Sequence, residues 1–171
     1  MKWKEKLLID LISSASALEI PQSILDDIAN ASVNVHLAIF SEPFVSLLFS
    51  GDKTIESRFS VNKITPYGKV LPNDIVLIKN SGGDICGLFR VSLVNYYSNL
   101  KIEKISELNA NWGKQIQWDK DPDFLNQKKS AKFLTLLWIS ELVAFSGIKS
   151  EKKDRTSWVV IRSTLNGTLF S

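Results

Sequence analysis

Cysteine and histidine are almost missing from this 171-residue sequence, which contains one of each. With Cys86 alone, the chain cannot form an intrachain disulfide or a cysteine-based zinc site, and His36 alone excludes a multi-histidine metal site. We therefore expect no metal and no cofactor. His36 is the one candidate for a histidine-dependent triad, but its apolar neighbours in VNVHLAIF favour a packed core histidine.

Long apolar runs are also lacking. No stretch approaches the roughly 20 apolar residues that a membrane-spanning helix needs. Residues 1–20, MKWKEKLLIDLISSASALEI, open with lysines and end in small residues like a signal peptide, but Glu5 and Asp10 make the segment too polar for secretion. The sequence therefore predicts a soluble, cytoplasmic protein with no membrane partner, and the single cysteine fits a reducing compartment.

Charge of either sign is close to balance. The sequence has 21 basic and 18 acidic side chains, a net charge of +3 and an isoelectric point near 8.9. This mild basic excess permits contact with phosphate groups without requiring it. The hydrophobic share of 44% suits one globular domain with a sizeable core.

The sequence divides into an N-terminal helical arm, residues 1–33, and a domain over residues 34–171. In the arm, apolar side chains recur at helical spacing from Trp3 to Ala15, and Pro21 suits the first turn of a second helix. The apolar face of the first helix either packs on the domain or pairs with a partner chain. These alternatives leave the role of the arm and the oligomeric state open.

From residue 34 onward, short apolar runs separated by turn residues predict an α+β fold around a small sheet. The segment EPFVSLLFSG predicts a short helix, with Ser41 as its N-cap, Pro43 in its first turn and Gly51 at its end. The apolar run KFLTLLWISELVAF fits a buried strand or a buried helix, and we favour the strand. Gly82 and Gly83 predict a hairpin turn between two further strands.

The segment GDKTIESR, residues 51–58, carries two cations and two anions within eight residues. In a strand, Thr54, Glu56 and Arg58 lie on one face because side chains alternate between the two faces. A lysine and an arginine offer a point charge and a planar fork of donors, which suit a phosphate or a polar base edge, and Glu56 can hold both cations. The alternative is a surface ion pair worth at most about 1 kcal/mol.

The order of these parts resembles the ASCH domain family, whose hallmark is a G-x-K-x-x-E-x-R motif. Gly51, Lys53, Glu56 and Arg58 match its four positions, and the similarity extends over about residues 34–164. Asn73 departs from the pattern, because it stands where the family usually has a glycine. The resemblance implies a PUA-like small β-barrel of about five or six strands with short helices. It also implies RNA or a nucleotide or nucleoside as partner, bound in a charged cleft around the motif.

The resemblance also implies an alternative, a hydrolase acting on RNA or a modified nucleoside, with Lys53 and Glu56 in the active site. One bacterial branch of similar fold hydrolyses N4-acetylcytidine with a lysine, a threonine and a glutamate. Its lysine corresponds to Lys53, but its threonine falls at Glu56, and Glu107 occupies a helix comparable to that of its glutamate. Whether any reaction is catalysed stays open at this point.

Aromatic side chains give a second indication of nucleic-acid binding. Trp112 and Trp118 flank the polar segment GKQIQ, where a tryptophan can stack on a base for about 1 to 3 kcal/mol, although most tryptophans serve as core packing. Tyr67 follows the motif in sequence and is included as a candidate ligand contact. Basic clusters at Lys128, Lys129 and Lys132 and at residues 149–155 could follow a phosphate backbone, but a solvated loop is the simpler interpretation.

Overall fold

The computed structural model describes residues 1–164, apart from the side chain of Leu125. It confirms the predicted α+β class: the described residues contain six strands with the hydrogen-bonded order β2-β5-β4-β3-β1-β6. The helices are α1 (Trp3–Ser13), α2 (Ala15–Leu18), α3 (Gln22–Ala29), α4 (Phe44–Ser50), α5 (Ile102–Ile116) and α6 (Phe124–Ser130). The strands are β1 (Val35–Phe40), β2 (Ile55–Ser60), β3 (Ile75–Asn80), β4 (Ile85–Tyr97), β5 (Phe133–Ile148) and β6 (Trp158–Arg162).

The chain forms two compact units, each assembled from separated stretches of sequence. Unit 1 comprises Met1–Ser41, Asn73–Arg90 and the described part of 141–171, and unit 2 comprises Glu42–Pro72 and Val91–Ser140. The predicted division at residue 33 into arm and domain stays a prediction.

In unit 1, β1 pairs in parallel with β3 and antiparallel with β6. Strands β3 and β4 form the predicted hairpin, with Lys79 opposite Ile85. Its turn is closed by a hydrogen bond from the Gly83 N–H to the Asn80 carbonyl, and Gly82 takes a φ of 71°, a left-handed conformation that favours glycine.

The core of unit 1 joins the N-terminal helices to the strands. Leu11 of α1 and Ile24 and Ile28 of α3 are fully buried and belong to the same apolar cluster as Val35 and Leu37 of β1. Within unit 1 the apolar face of α1 therefore packs against other parts of the same chain, which is one of the two alternatives left open by the sequence.

His36 is fully buried in unit 1, as its apolar neighbours predict. Its Nε2 lies 2.9 Å from Asp74 Oδ2, and its Nδ1 accepts a hydrogen bond from Trp158 Nε1 at 3.2 Å. An indole N–H can only donate, so Nδ1 is the unprotonated nitrogen and Nε2 donates to Asp74. Both ring nitrogens are thus occupied by hydrogen bonds within the core, and the histidine does not have the geometry of a general base.

In unit 2, β2 pairs antiparallel with β5, with Ile55 opposite Trp138 and Ser60 opposite Phe133. The ambiguous apolar run is a strand, as favoured from its sequence. Its residues Leu134 to Leu137 are buried in succession, which is typical of a strand covered on both faces. Helix α5 packs its buried face, Ile105, Leu108 and Ile116, into the same core.

The start of α4 differs from the prediction. The helix begins at Phe44, with Pro43 rather than Ser41 at the N-cap position. The carboxylate of Glu42 accepts a hydrogen bond from the Ser46 N–H at 3.2 Å, so a glutamate satisfies one of the donors that a serine N-cap would otherwise take.

Candidate functional site

The motif begins where α4 ends. Gly51 is the C-cap of the helix and has a φ of 83°, and no atom lies within 4 Å of a Cβ built there. The left-handed backbone, rather than lack of space, therefore favours glycine at this position. The Lys53 N–H then donates to the Leu47 carbonyl at 2.9 Å, which directs the chain into β2.

Glu56 lies between the two cations of the motif. Its Oε2 is 3.2 Å from Lys53 Nζ, and its Oε1 accepts a hydrogen bond from Arg58 Nε at 2.7 Å. The side chain of Lys53 is 3% exposed, that of Glu56 7% and that of Arg58 16%. We call these three residues the triad; it carries one net positive charge, and Arg58 is its most exposed member.

The ammonium of Lys53 has three hydrogen-bond partners within unit 2. Besides Glu56, Nζ donates to the carbonyls of Ile55 at 2.9 Å and Ile116 at 2.7 Å. Burial lowers the pKa of Lys53, and the nearby carboxylate of Glu56 opposes that shift. Since an ammonium has three donors, a ligand can contact Lys53 directly only if one of these bonds breaks.

The motif is tied to the C-terminal end of α5 by three successive hydrogen bonds. Thr54 N–H donates to the Gln115 carbonyl at 3.0 Å, Lys53 Nζ to the Ile116 carbonyl, and Gln117 Nε2 to the Asp52 carbonyl at 3.2 Å. We call the paired segments 52–54 and 115–117 the ladder. Sequence reasoning missed the role of Gln117, because the two segments are more than 60 residues apart and no local pattern marks their pairing.

Trp118 is buried on the other face of β2. Its indole N–H donates to Ser57 Oγ at 2.8 Å, and its ring stacks on Phe124 with centroids 5.0 Å apart. Ser57 alternates with Glu56 and Arg58 along the strand, so its partner Trp118 lies opposite the triad. A tryptophan packed in this way has little ring surface to offer a base.

Trp112 and Tyr67 are more exposed to solvent than Trp118. Trp112 is 36% exposed and packs its ring edge-on against Trp138 at 5.5 Å. Tyr67 is half-buried between the rings of Tyr96 and Phe133, at 5.1 and 5.0 Å. Lys63 Nζ also lies 5.7 Å from the centroid of the Tyr67 ring, so both rings already have partners within unit 2.

The remaining candidate, Glu107, lies on the exposed surface of α5 and pairs with Lys104 at 3.0 Å. Over residues 1–164, no group of three or more histidine, cysteine, aspartate or glutamate side chains could hold a metal ion. Nor does any helix within that range have the length and apolar character needed to cross a membrane.

Comparison with known proteins gives a likeness in structure only. No protein-family model and no curated protein matches the sequence. The crystal structure of ASCH from Zymomonas mobilis matches with a TM-score of 0.58 and 11% identity, over 79% of this chain and 91% of that chain. Two mutant structures of that protein match with the same TM-score at 11% and 10% identity, over 79% of this chain and 95% and 93% of theirs.

A likeness at this level of identity shows the architecture alone, because a shared fold does not imply a shared function. It agrees with the α+β arrangement described above. The predicted α+β fold is confirmed: this chain shares the fold of ASCH from Zymomonas mobilis.

Proposed function

We propose that this chain is an ASCH-domain protein that binds RNA or a nucleotide, with Arg58 as the principal contact to a phosphate group. The observation that carries the proposal is the triad, in which Lys53 and Glu56 are buried and Arg58 is partly exposed. Withdrawing the charges of Lys53 and Glu56 from water is costly, and apolar side chains of similar size often stabilise a protein equally well. Buried, closely coupled charges are therefore more typical of a functional site than of a stabilising device.

Arg58 is suited to an anion. Its Nε is bonded to Glu56, so the plane of the guanidinium has a fixed orientation before any ligand arrives. A planar fork of donors matches the oxygens of a phosphate, and a preoriented side chain loses less conformational entropy on binding. Lys53 and Glu56 then act as positioning residues, which hold Arg58 in place.

The distribution of charge between the two units also supports the proposal. Unit 2 contains eleven cationic and eight anionic side chains, whereas unit 1 contains ten of each. The whole positive excess of the chain therefore lies in the unit that contains the triad. A local excess of cations raises both the affinity and the association rate for a polyanion.

The hydrolase alternative stays a prediction, because no contact of the described residues favours it. A catalytic Lys53 would have to give up one of its three hydrogen bonds, and Glu107 is exposed and paired with Lys104. The proposed function is therefore binding without turnover.

Fluorescence anisotropy with labelled single-stranded RNA tests the proposal. We expect the wild-type protein to bind with an affinity that falls steeply with salt, and Arg58→Ala to lose about tenfold or more. Arg58→Lys keeps the charge but not the fork, and we expect it to lie between the two. Lys2→Ala, which removes an exposed cation from unit 1, should bind like wild type.

Two results would overturn the proposal. One is that the wild-type protein binds neither the RNA nor a mixture of ribonucleoside monophosphates. The other, which overturns the role given to Arg58 but not RNA binding itself, is that both Arg58 variants, shown by circular dichroism to be folded, bind as tightly as wild type. Binding of the monophosphates but not of RNA would support the nucleotide form of the proposal.

A further inference from the structure

An open cleft lies at the C-terminal end of α5, within unit 2. Its volume is about 380 Å³, which falls within the range of small-ligand sites. The lining contributes two ammonium groups, one carboxylate, two side-chain amides and one glycine, from Lys114, Lys120, Asp119, Asn109, Gln117 and Gly113. The lining residues have polar side chains or, at Gly113, none, and their aliphatic stems supply much of the surface, so a ligand here would meet both carbon atoms and polar groups.

Gly113 lines the cleft beside the flexible side chain of Asn109. A Cβ at this position would lie 2.5 Å from Asn109 Oδ1, so any other residue would force that side chain to move. Glycine inside a helix costs roughly 0.5 to 1 kcal/mol relative to alanine. Helix α5 thus forgoes some helix stability at the point where the cleft forms.

The C-terminal cap of α5 is also occupied by a residue that is locally unfavourable. Gln117 ends α5 in the left-handed region, with a φ of 67°, where glycine is the usual residue. Its side chain compensates by donating to the Lys114 carbonyl at 2.6 Å and to the Asp52 carbonyl of the ladder. Residues that are locally unfavourable for stability are expected to be concentrated at functional sites.

The charges of the cleft favour an anion. Lys114 and Lys120 are both exposed; Lys120 lies 3.5 Å from Asp119, and Lys114 has no ion pair with any residue in the range 1–164. A lysine in the last turn of a helix also complements the helix dipole, which is the simpler role for Lys114. The experiment below separates the two roles.

We infer that this cleft is a second subsite for a ribose-phosphate unit, in addition to the phosphate contact of Arg58. Lys114 and Lys120 contact the phosphate oxygens, and Asp119 and Asn109 accept hydrogen bonds from ribose hydroxyls. The ladder fixes Gln117 of the cleft to Asp52 of the motif, so the subsite and the triad are attached to the same framework. This inference rests on the proposed function and extends it by one binding site.

The same RNA titration, performed on Lys114→Ala/Lys120→Ala and on Gly113→Ala, tests the subsite. Removing both lysines should weaken binding about tenfold at low salt and reduce the salt slope by about 1.4, because each phosphate contact to a single strand contributes about 0.7. Gly113→Ala should weaken binding severalfold without changing the slope, since it adds volume but no charge. Its helix content should be kept or raised.

The matched control is Lys101→Ala/Lys104→Ala, which removes the same charge from the other end of α5. If this control weakens binding as much as Lys114→Ala/Lys120→Ala, the subsite inference is wrong while the proposed function stands. If wild type binds neither RNA nor monophosphates, both fall together. If both Arg58 variants bind like wild type while Lys114→Ala/Lys120→Ala binds more weakly than its control, the subsite stands and the role of Arg58 is wrong.

Discussion

At the scale of single residues, Lys53 joins parts of unit 2 that are distant in sequence. We expect Lys53→Met to lower the free energy of unfolding by about 3 kcal/mol, because Glu56 loses a buried partner and two carbonyls lose a donor. Denaturant unfolding followed by circular dichroism measures the loss. Lys69→Met, the same change at an exposed site of unit 2, should stay within about 0.5 kcal/mol. Equal losses in the two variants would contradict the role given to Lys53.

The difference in unfolding free energy between the wild type and Lys53→Met should depend on pH. Burial holds the pKa of Lys53 in the folded protein below its ordinary value of 10.5, so below that pH the unfolded chain binds this proton more readily. The stability of the wild type relative to Lys53→Met should therefore rise as the pH increases towards 10.5, the ordinary pKa of the unfolded lysine. A stability difference that falls over this range would show that Lys53 is not held in a desolvated site.

The residues of the triad could be predicted as a group, but their partners could not. Strand alternation places Glu56 and Arg58 on one face, which the spacing alone implies. The bond from Lys53 to Ile116 depends on chain segments 63 residues apart, and nothing in the local sequence encodes it. Trp112 and Trp118 have similarly polar neighbours in sequence, yet only Trp118 is covered, because Phe59 and Phe124 pack against it.

At the scale of elements, the ladder attaches β2 to the end of α5. We expect Gln117→Ala to increase the hydrogen-exchange rate of the Thr54 amide about fivefold, since loss of a side-chain hydrogen bond costs about 1 kcal/mol. Gln115→Ala is the control, because the backbone carbonyl that accepts the Thr54 N–H is retained. Exchange that is equally slow in both variants would mean that the Gln117 side chain does not support the ladder.

The type of each element was easier to predict than its ends. Short apolar runs on either side of Gly82 and Gly83 predicted the β3–β4 hairpin, whose turn depends on local backbone preferences. The start of α4 was displaced, because a glutamate carboxylate replaced the expected serine as the acceptor for a first-turn N–H. For β5 the sequence pattern was ambiguous, since a strand covered on both faces has no alternation to detect.

At the scale of the whole molecule, the linear sequence did not reveal the two units, because each combines stretches that are far apart along the chain. The contribution of the N-terminal helices to unit 1 can be measured. Leu11→Ala should lower the free energy of unfolding by about 3 kcal/mol, since Leu11 is fully buried in the cluster that includes β1. Ile12→Ala, at a neighbouring exposed position of α1, should cost less than about 1 kcal/mol. Similar small losses for both would instead indicate an arm that contributes little to the core.

The order in which the stretches of unit 1 occur has a consequence for biosynthesis. The antiparallel partner of β1 is β6, and Val35 lies opposite Arg162, so all of unit 2 is translated between them. At about 5 to 20 residues per second, the edge of β1 that β6 will cover waits on the order of ten seconds on the ribosome. An uncovered strand edge is a template for wrong pairing, and the arrival of β6 removes this one from β1.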